Sequence, residues 1–259
     1  MQRNKENDRH RIMNNVMRAL LLIAFLSLIF KNTQAQGFKT SLLLSPGISW
    51  YRSNSNSSEI EKHTFQENKR LKFSFSGGIG VREEYFFSKI FSLGMEFRYL
   101  YTNGLFYSYY SISNIPEIHS RFRHLLSVNS LDIPVFFRLR TKSEVTKGIS
   151  FYFGTGLSWV MNADRDIVIE SGHMGSPPTE IMSVANGSVK IKNENNNQIG
   201  TVGIVGIGKH FAIKNKTFFC EIKYRFDLNN WVYPTVGDPV NSSFDIKRRC
   251  LLLNLGITL

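Results

Sequence analysis

The feature that most constrains the fold of this chain is an alternation of apolar and polar residues, repeated in short segments from Gly37 onward. A period of two marks a strand with two unlike faces, and no apolar period of 3.6 runs long enough to compete with it. In 217–228 (TFFCEIKYRFDL), Phe218, Cys220, Ile222, Tyr224, Phe226 and Leu228 share one face, opposite Glu221, Lys223, Arg225 and Asp227. In 130–140, Leu131, Ile133, Val135, Phe137 and Leu139 oppose Asp132, Arg138 and Arg140. In 251–259 the alternate leucines and Ile257 face away from Asn254, Gly256 and Thr258, and in 91–105 Phe91, Leu93, Met95, Phe97, Tyr99 and Tyr101 oppose Ser92, Gly94, Glu96 and Arg98. Weaker segments near 39–52, 71–86, 149–161 and 198–211 bring the predicted strands to eight. In the last of these, Val, Ile and Gly occupy both faces, which leaves its inward face open.

The connections alternate in length. Those near 53–70, 106–128, 162–197 and 229–247 are long and rich in Asn, Ser and Gly, while those near 87–90, 141–148 and 212–216 are short. In an up-and-down meander alternate connections share one end, so the long loops gather at one end and the turns and termini at the other. This predicts an all-β fold: an eight-stranded antiparallel up-and-down transmembrane β-barrel with long extracellular loops and short periplasmic turns.

A soluble eight-stranded barrel has the same period with its faces exchanged, so the polar face decides. Here it carries opposite charges close together. Eight strands enclose a lumen that side chains just fill, and charges placed there must be paired. The interior is expected to hold Arg82, Glu96, Arg98, Asp132, Arg138, Glu221, Lys223, Arg225 and Asp227, which plug it. A turn centred on Lys89 would set Arg82 opposite Glu96. Gly77, Gly78, Gly80, Gly154 and Gly156 are expected to make room for these side chains. Aromatics near the strand ends (Trp50, Tyr51, Tyr85 to Phe87, Tyr99, Tyr101, Trp159, Phe211, Trp231 and Tyr233) suggest interfacial girdles.

Residues 1–35 read differently. Arg3, Lys5, Arg9, Arg11 and Arg18 precede an apolar run of 12 residues, Ala19 to Phe30, followed by Thr33-Gln34-Ala35. That is the pattern of a signal peptide cleaved after Ala35, with Met13 or Met17 as alternative starts; the run falls short of the roughly 20 residues of a membrane-spanning helix. Residues 36–259 then form the barrel domain, exported to the cell outer membrane. Losing six basic and two acidic residues lowers the net charge from +12 to +8. No Arg- or Lys-rich stripe accompanies that charge, so the expected partners are outer-membrane lipid and anionic lipopolysaccharide, with an unnamed protein partner possible, and not nucleic acid.

Catalytic, cofactor and metal motifs are absent. Gly203 to Gly208 lacks the G-x-G-x-x-G spacing of a nucleotide loop. His63, His119, His124, His173 and His210 show no ligand spacing and read as solvent-facing loop residues. Cys220 and Cys250 are expected on opposite faces and unbridged. His119, Ser120, His124 and Ser127, in the second long loop, would suit a lipid-modifying enzyme, yet no G-x-S-x-G elbow accompanies them. The expected role is a non-enzymatic structural or interaction module acting through its extracellular loops, with the lipid-modifying enzyme as the alternative.

The segments Phe75 to Gly80, Phe91 to Tyr99, Leu131 to Val135 with its internal Pro134, Phe153 to Gly156 and Lys223 to Phe226 resemble the small outer-membrane β-barrel proteins of Bacteroidetes that include the PorT-like group. The resemblance covers most of 37–259. It implies an outer-membrane location, and because the namesake takes part in type IX secretion it also implies an accessory role in secretion, although no residue motif carries that role across. The chain departs from the group at Leu259, where such barrels more often end in an aromatic.

Overall fold

The computed structural model describes residues 37–53, 73–111, 118–142, 148–173, 179–188, 191–193, 197–214, 216–234 and 243–259. Residues 1–35, expected as a signal peptide, lie outside them. The strands in chain order are β1 (Phe38–Ser53), β2 (Ser74–Phe86), β3 (Phe91–Ser111), β4 (Ile118–Arg140), β5 (Ile149–His173), β6 (Thr179–Ser188), β7 (Lys192–Asn193), β8 (Ile199–Ile213), β9 (Lys216–Asp227), β10 (Trp231–Pro234) and β11 (Ser243–Thr258). Eight of them form the wall in the order β1-β2-β3-β4-β5-β8-β9-β11, and antiparallel pairing of β1 with β11, from Ser41↔Thr258 to Ser53↔Ile246, closes it. Closure leaves no free edge along the wall, which a strand in hydrocarbon requires because no water is there to satisfy its backbone.

The two faces are those the alternation predicts. Leu44, Phe75, Phe153, Leu157 and Ile222 each expose more than half of their surface on the outer wall, while Arg82, Glu96, Arg138 and Lys223 are fully buried in the lumen. A soluble barrel would have the reverse. On β8 the even positions face inward: Val202 and Ile204 are buried, and a Cβ on Gly208 would strike Glu221.

The expected loops are partly strands. A strand needs roughly 9 to 11 residues to cross a bilayer, whereas β4 has 23 and β5 has 25. Ser111↔His119 is the topmost pair of β3 and β4, and Ile118↔His173 that of β4 and β5; β6 pairs with the upper half of β5. The segments 106–128 and 162–197, expected as loops, therefore contribute a sheet that projects past the wall. Their Asn and Ser content suggested loops, but a register already set by the barrel lets the ladder extend without a further loop-closure cost. At Asn129/Ser130 the β4–β5 register shifts around Met161. Such a bulge bends the pair and raises its twist, here where the strands leave the barrel.

Pro134 sits where the ladder allows it. The β3–β4 pairing runs to Met95↔Val135 and resumes at Arg98↔Asp132, so the proline occupies the interruption. Pro46 occupies the corresponding gap between Leu44↔Leu255 and Gly47↔Leu252. A residue with no N–H costs least where no ladder bond is made.

Candidate functional site in the lumen

The inward faces of β2, β3, β4, β9 and β11 bring the charged side chains into two knots. In the lower knot, nearer the short turns, the Arg82 guanidinium donates from Nε and Nη2 to Glu96 Oε1 at 2.9 and 2.7 Å. Its other edge donates from Nη1 and Nη2 to both oxygens of Glu221 at 2.8 and 2.6 Å. Lys223 Nζ donates to both oxygens of Glu96 at 2.7 and 2.5 Å, and Arg98 donates to the same carboxylate. Arg138 Nη2 lies 2.8 Å from Glu221 Oε1, and its Nε 3.1 Å from Glu84 Oε1. In the upper knot Asp132 takes Arg225 Nε at 3.0 Å and the Ser158 hydroxyl at 2.6 Å. Asp227 takes Arg225 Nη1 at 2.5 Å, and both the backbone N–H and Nε of Arg248, at 2.8 and 2.9 Å.

All nine residues singled out in the sequence line this lumen. The structure adds Glu84, Arg140, Ser158, Arg248 and Asn254. Arg140 already stood on the polar face read in 130–140, and Glu84 continues the inward phase of Arg82 and could have been found from it. Arg248 could not, because β11 begins at Ser243, well before the expected start at 251.

His210, read as a solvent-facing loop residue, is instead buried at the lower end of the lumen, its Nε2 3.2 Å from Arg138 Nη1. The ambiguous alternation of β8 had hidden its phase.

A ring of aromatics supports the lower knot. The Arg82 guanidinium lies 5.2, 5.8 and 4.8 Å from the ring centroids of Phe136, Tyr152 and Phe219. Each ring rests over the glycine directly across from it on the neighbouring strand: Phe136 on Gly94, Tyr152 on Gly206, Phe219 on Gly256. A Cβ at those glycines would fall 2.2, 2.3 and 2.0 Å from a ring carbon. Gly78, Gly80, Gly154 and Gly156 likewise face the lumen side, where a Cβ would meet a neighbouring strand's backbone; Gly77 lies on the other face, against Phe75.

Above the upper knot the mouth is filled by an apolar cluster of Leu126, Val128, Val160, Ala163, Ile191, Trp231 and Ile246, with Tyr51 packed against it. β10 pairs with the top of β11 and with β7, which carries Trp231 inward, 5.0 Å over Arg248. Trp231 and Tyr51 were expected in an outer girdle and are instead part of this lid. Outer aromatics do band the turn end, where Phe87, Phe91, Phe137 and Phe153 follow one another at centroid spacings of 6.3, 5.5 and 5.9 Å.

The residues weighed for lipid chemistry do not lie in a loop. His119, Ser120, His124 and Ser127 belong to β4. The Ser127 hydroxyl is engaged by Tyr101 Oη at 3.2 Å. Cys220 and Cys250 are both free thiols, and Cys220 pairs with Leu255, five positions from Cys250 along β11.

An apolar outer belt around a charged, filled lumen defines the class as a closed eight-stranded antiparallel transmembrane β-barrel. No family model and no curated protein matches the chain. Solved structures do. The attachment invasion locus protein Ail of Yersinia pestis aligns at 10% identity over 86% of this chain and 100% of that chain, with a TM-score of 0.37. The outer membrane protein OprG from Pseudomonas aeruginosa aligns at 6% identity over 86% and 94%, with a TM-score of 0.41. The outer membrane protease OmpT from Escherichia coli aligns at 10% identity over 87% and 97%, with a TM-score of 0.33. At such identities and scores these likenesses carry nothing about activity.

Proposed function

We propose that this chain is an outer-membrane barrel whose signal peptide is cleaved after Ala35 and which works, without catalysis, as an interaction module through its projecting strands. The observation that carries the reading is the contrast between its two parts. The lumen is occupied from the lower knot to the lid, whereas β3, β4, β5 and β6 continue as a paired sheet beyond the wall. A partner meets that sheet and the connections beside it, and the wall supplies a rigid mount. With the termini and short turns in the periplasm, the sheet stands outside the cell. The finer family reading, membership of the PorT-like group with an accessory role in secretion, is supported by the Leu131-to-Val135 strand with Pro134 and by the other segments quoted above.

The test is capture from the native outer membrane with the intact barrel and with a version in which 106–124 is replaced by a short turn. A protein recovered by the first and lost with the second is the expected result. Equal recovery by both would overturn the reading. Incubation with labelled lipid A separates the enzymatic alternative, because a product abolished by His119→Ala or Ser120→Ala is expected only from an enzyme.

A further inference from the structure

The two knots differ in charge. The upper one sets Arg225 and Arg248 against Asp132 and Asp227 and is balanced. The lower one sets Arg82, Arg98, Arg138, Arg140 and Lys223 against Glu84, Glu96 and Glu221, an excess of two cations toward the turn end. The excess continues onto the rim. Lys39, Lys89, Lys142, Lys209, Lys214 and Lys216 are all exposed there, while the carboxylate side chains described near that end, Glu83 and Glu84, are buried. Glu83 accepts a hydrogen bond from Thr40, and Glu84 is shared by Ser92, Arg138 and Arg140.

Part of this rim is a formed groove of about 420 Å³ between the start of β1 and the β2–β3 turn, with Arg140 at its inner end. Phe86 forms its floor, with the Arg140 guanidinium 4.2 Å and Lys39 Nζ 5.1 Å from the ring centroid. Arg140 is more than nine-tenths buried, its Nε has no hydrogen-bond partner, and its nearest carboxylate oxygen, on Glu84, is 3.6 Å away. Lys89 lines the same groove. The surrounding backbone is tied down: Phe86 N–H donates to Gly37 O, Arg140 N–H donates to Ile90 O, and the Ser88 hydroxyl accepts from Phe91 N–H. Phe38 and Phe87 border the groove and expose about half of their surface to the outside, on the apolar belt.

We propose that this groove binds the phosphodiester headgroup of an anionic phospholipid from the periplasmic leaflet, with Lys39, Lys89 and Arg140 holding the phosphate and the acyl chains lying along Phe38 and Phe87. The chemistry selects this occupant. Three cations with one shared carboxylate among them call for an anion, and the aromatic lip opening onto the belt suits a ligand with a hydrocarbon tail. Lipopolysaccharide belongs to the other leaflet, so this basic rim faces phospholipid. The inference rests on the barrel's orientation and does not depend on what the projecting sheet binds.

The experiment is native mass spectrometry of the full mature barrel, released from bilayers that contain equal phosphatidylglycerol and phosphatidylcholine. Wild type is expected to retain phosphatidylglycerol preferentially. The double variant K39Q/K89Q, which changes two exposed side chains outside the buried network, is expected to lose about 25-fold in that retention, about fivefold for each lysine near an anionic surface. K209Q/K216Q, on the far side of the rim, is expected to retain the lipid as wild type does. The heat-dependent gel shift of the folded barrel should be the same in all three. Equal retention of the two lipids, or equal losses in both double variants, overturns the site. Displacement of the bound lipid by millimolar inorganic phosphate overturns the lipid as its source.

Discussion

Arg82 on β2 and Glu96 on β3 stand directly opposite each other, and the same guanidinium spans the lumen to Glu221 on β9. One planar side chain thus ties neighbouring strands together and both of them to a distant part of the wall. A bidentate fork meets two carboxylates in a way a lysine cannot. Removing one member leaves the others buried with their charge only partly compensated.

Glu221→Ala is therefore expected to destabilise the barrel by about 3 to 5 kcal/mol, because Arg82 and Arg138 each lose one of their two carboxylates while staying buried, with only Glu96 and Glu84 left to them. Asn254→Ala, which removes a 3.5 Å contact to the same carboxylate and the acceptor of the buried Ser45 hydroxyl at 2.8 Å, leaves no charge unpaired and is expected to cost about 1 to 3 kcal/mol. Urea unfolding of the reconstituted protein, followed by tryptophan fluorescence, measures both. Equal midpoints for Glu221→Ala and wild type would show that the lower knot contributes nothing net.

The mature chain is expected to be electrically silent in a planar bilayer. Open aqueous channels belong to barrels of roughly 16 or more strands, and here two charge knots and an apolar lid lie in series. Trp231→Ala removes the largest side chain of the lid, yet the knots below it remain, so silence is expected to persist. Stable porin-sized steps from either protein would make transport the leading function.

The glycine-under-ring pairs predict a steric cost. Val at Gly206 would carry its Cβ into the Tyr152 ring, and displacing that ring disturbs the packing around Arg82. A loss of about 1 to 3 kcal/mol is expected, as for overpacking in a filled core. Gly77→Val, with its nearest neighbour the outer-wall Phe75 ring at 3.3 Å, serves as the control and should unfold close to wild type.

Thiol chemistry checks the register. Cys250 is fully buried in the lumen and Cys220 lies on the opposite face of its strand. Electrophoresis with and without reductant should give the same band. A water-soluble maleimide should leave Cys250 unlabelled in the folded barrel and modify it after unfolding. Rapid labelling of Cys250 in the native state would mean that the lumen is open to water.

What the sequence determined by itself is the period and the sign of each face. Leu131 to Leu139 against Asp132 and Arg138, and Phe218 to Leu228 against Glu221 to Asp227, could only be a wall with charge on one side and hydrocarbon on the other. The short turn at Lys89 added one register, and with it Arg82 opposite Glu96. These are local properties, since side-chain alternation and turn length act between residues a few positions apart.

The tertiary structure alone decided everything that depends on closure. The meeting of Arg82 with Glu221 joins residues 139 positions apart, and it exists because β1 and β11 pair and curl the wall round. The seating of Phe136, Tyr152 and Phe219 on glycines required the register of three different strand pairs. Trp231 looked like a girdle residue until β10 turned it onto the lid, and His210 looked exposed until the phase of β8 placed it beside Arg138. Upper β3, β4 and β5 read as loops because their alternation is weak, and pairing supplied what periodicity did not. The physical reason is common to all of these. Alternation records which face of a strand a residue occupies, but what meets it across the lumen is set by strand number, register and closure.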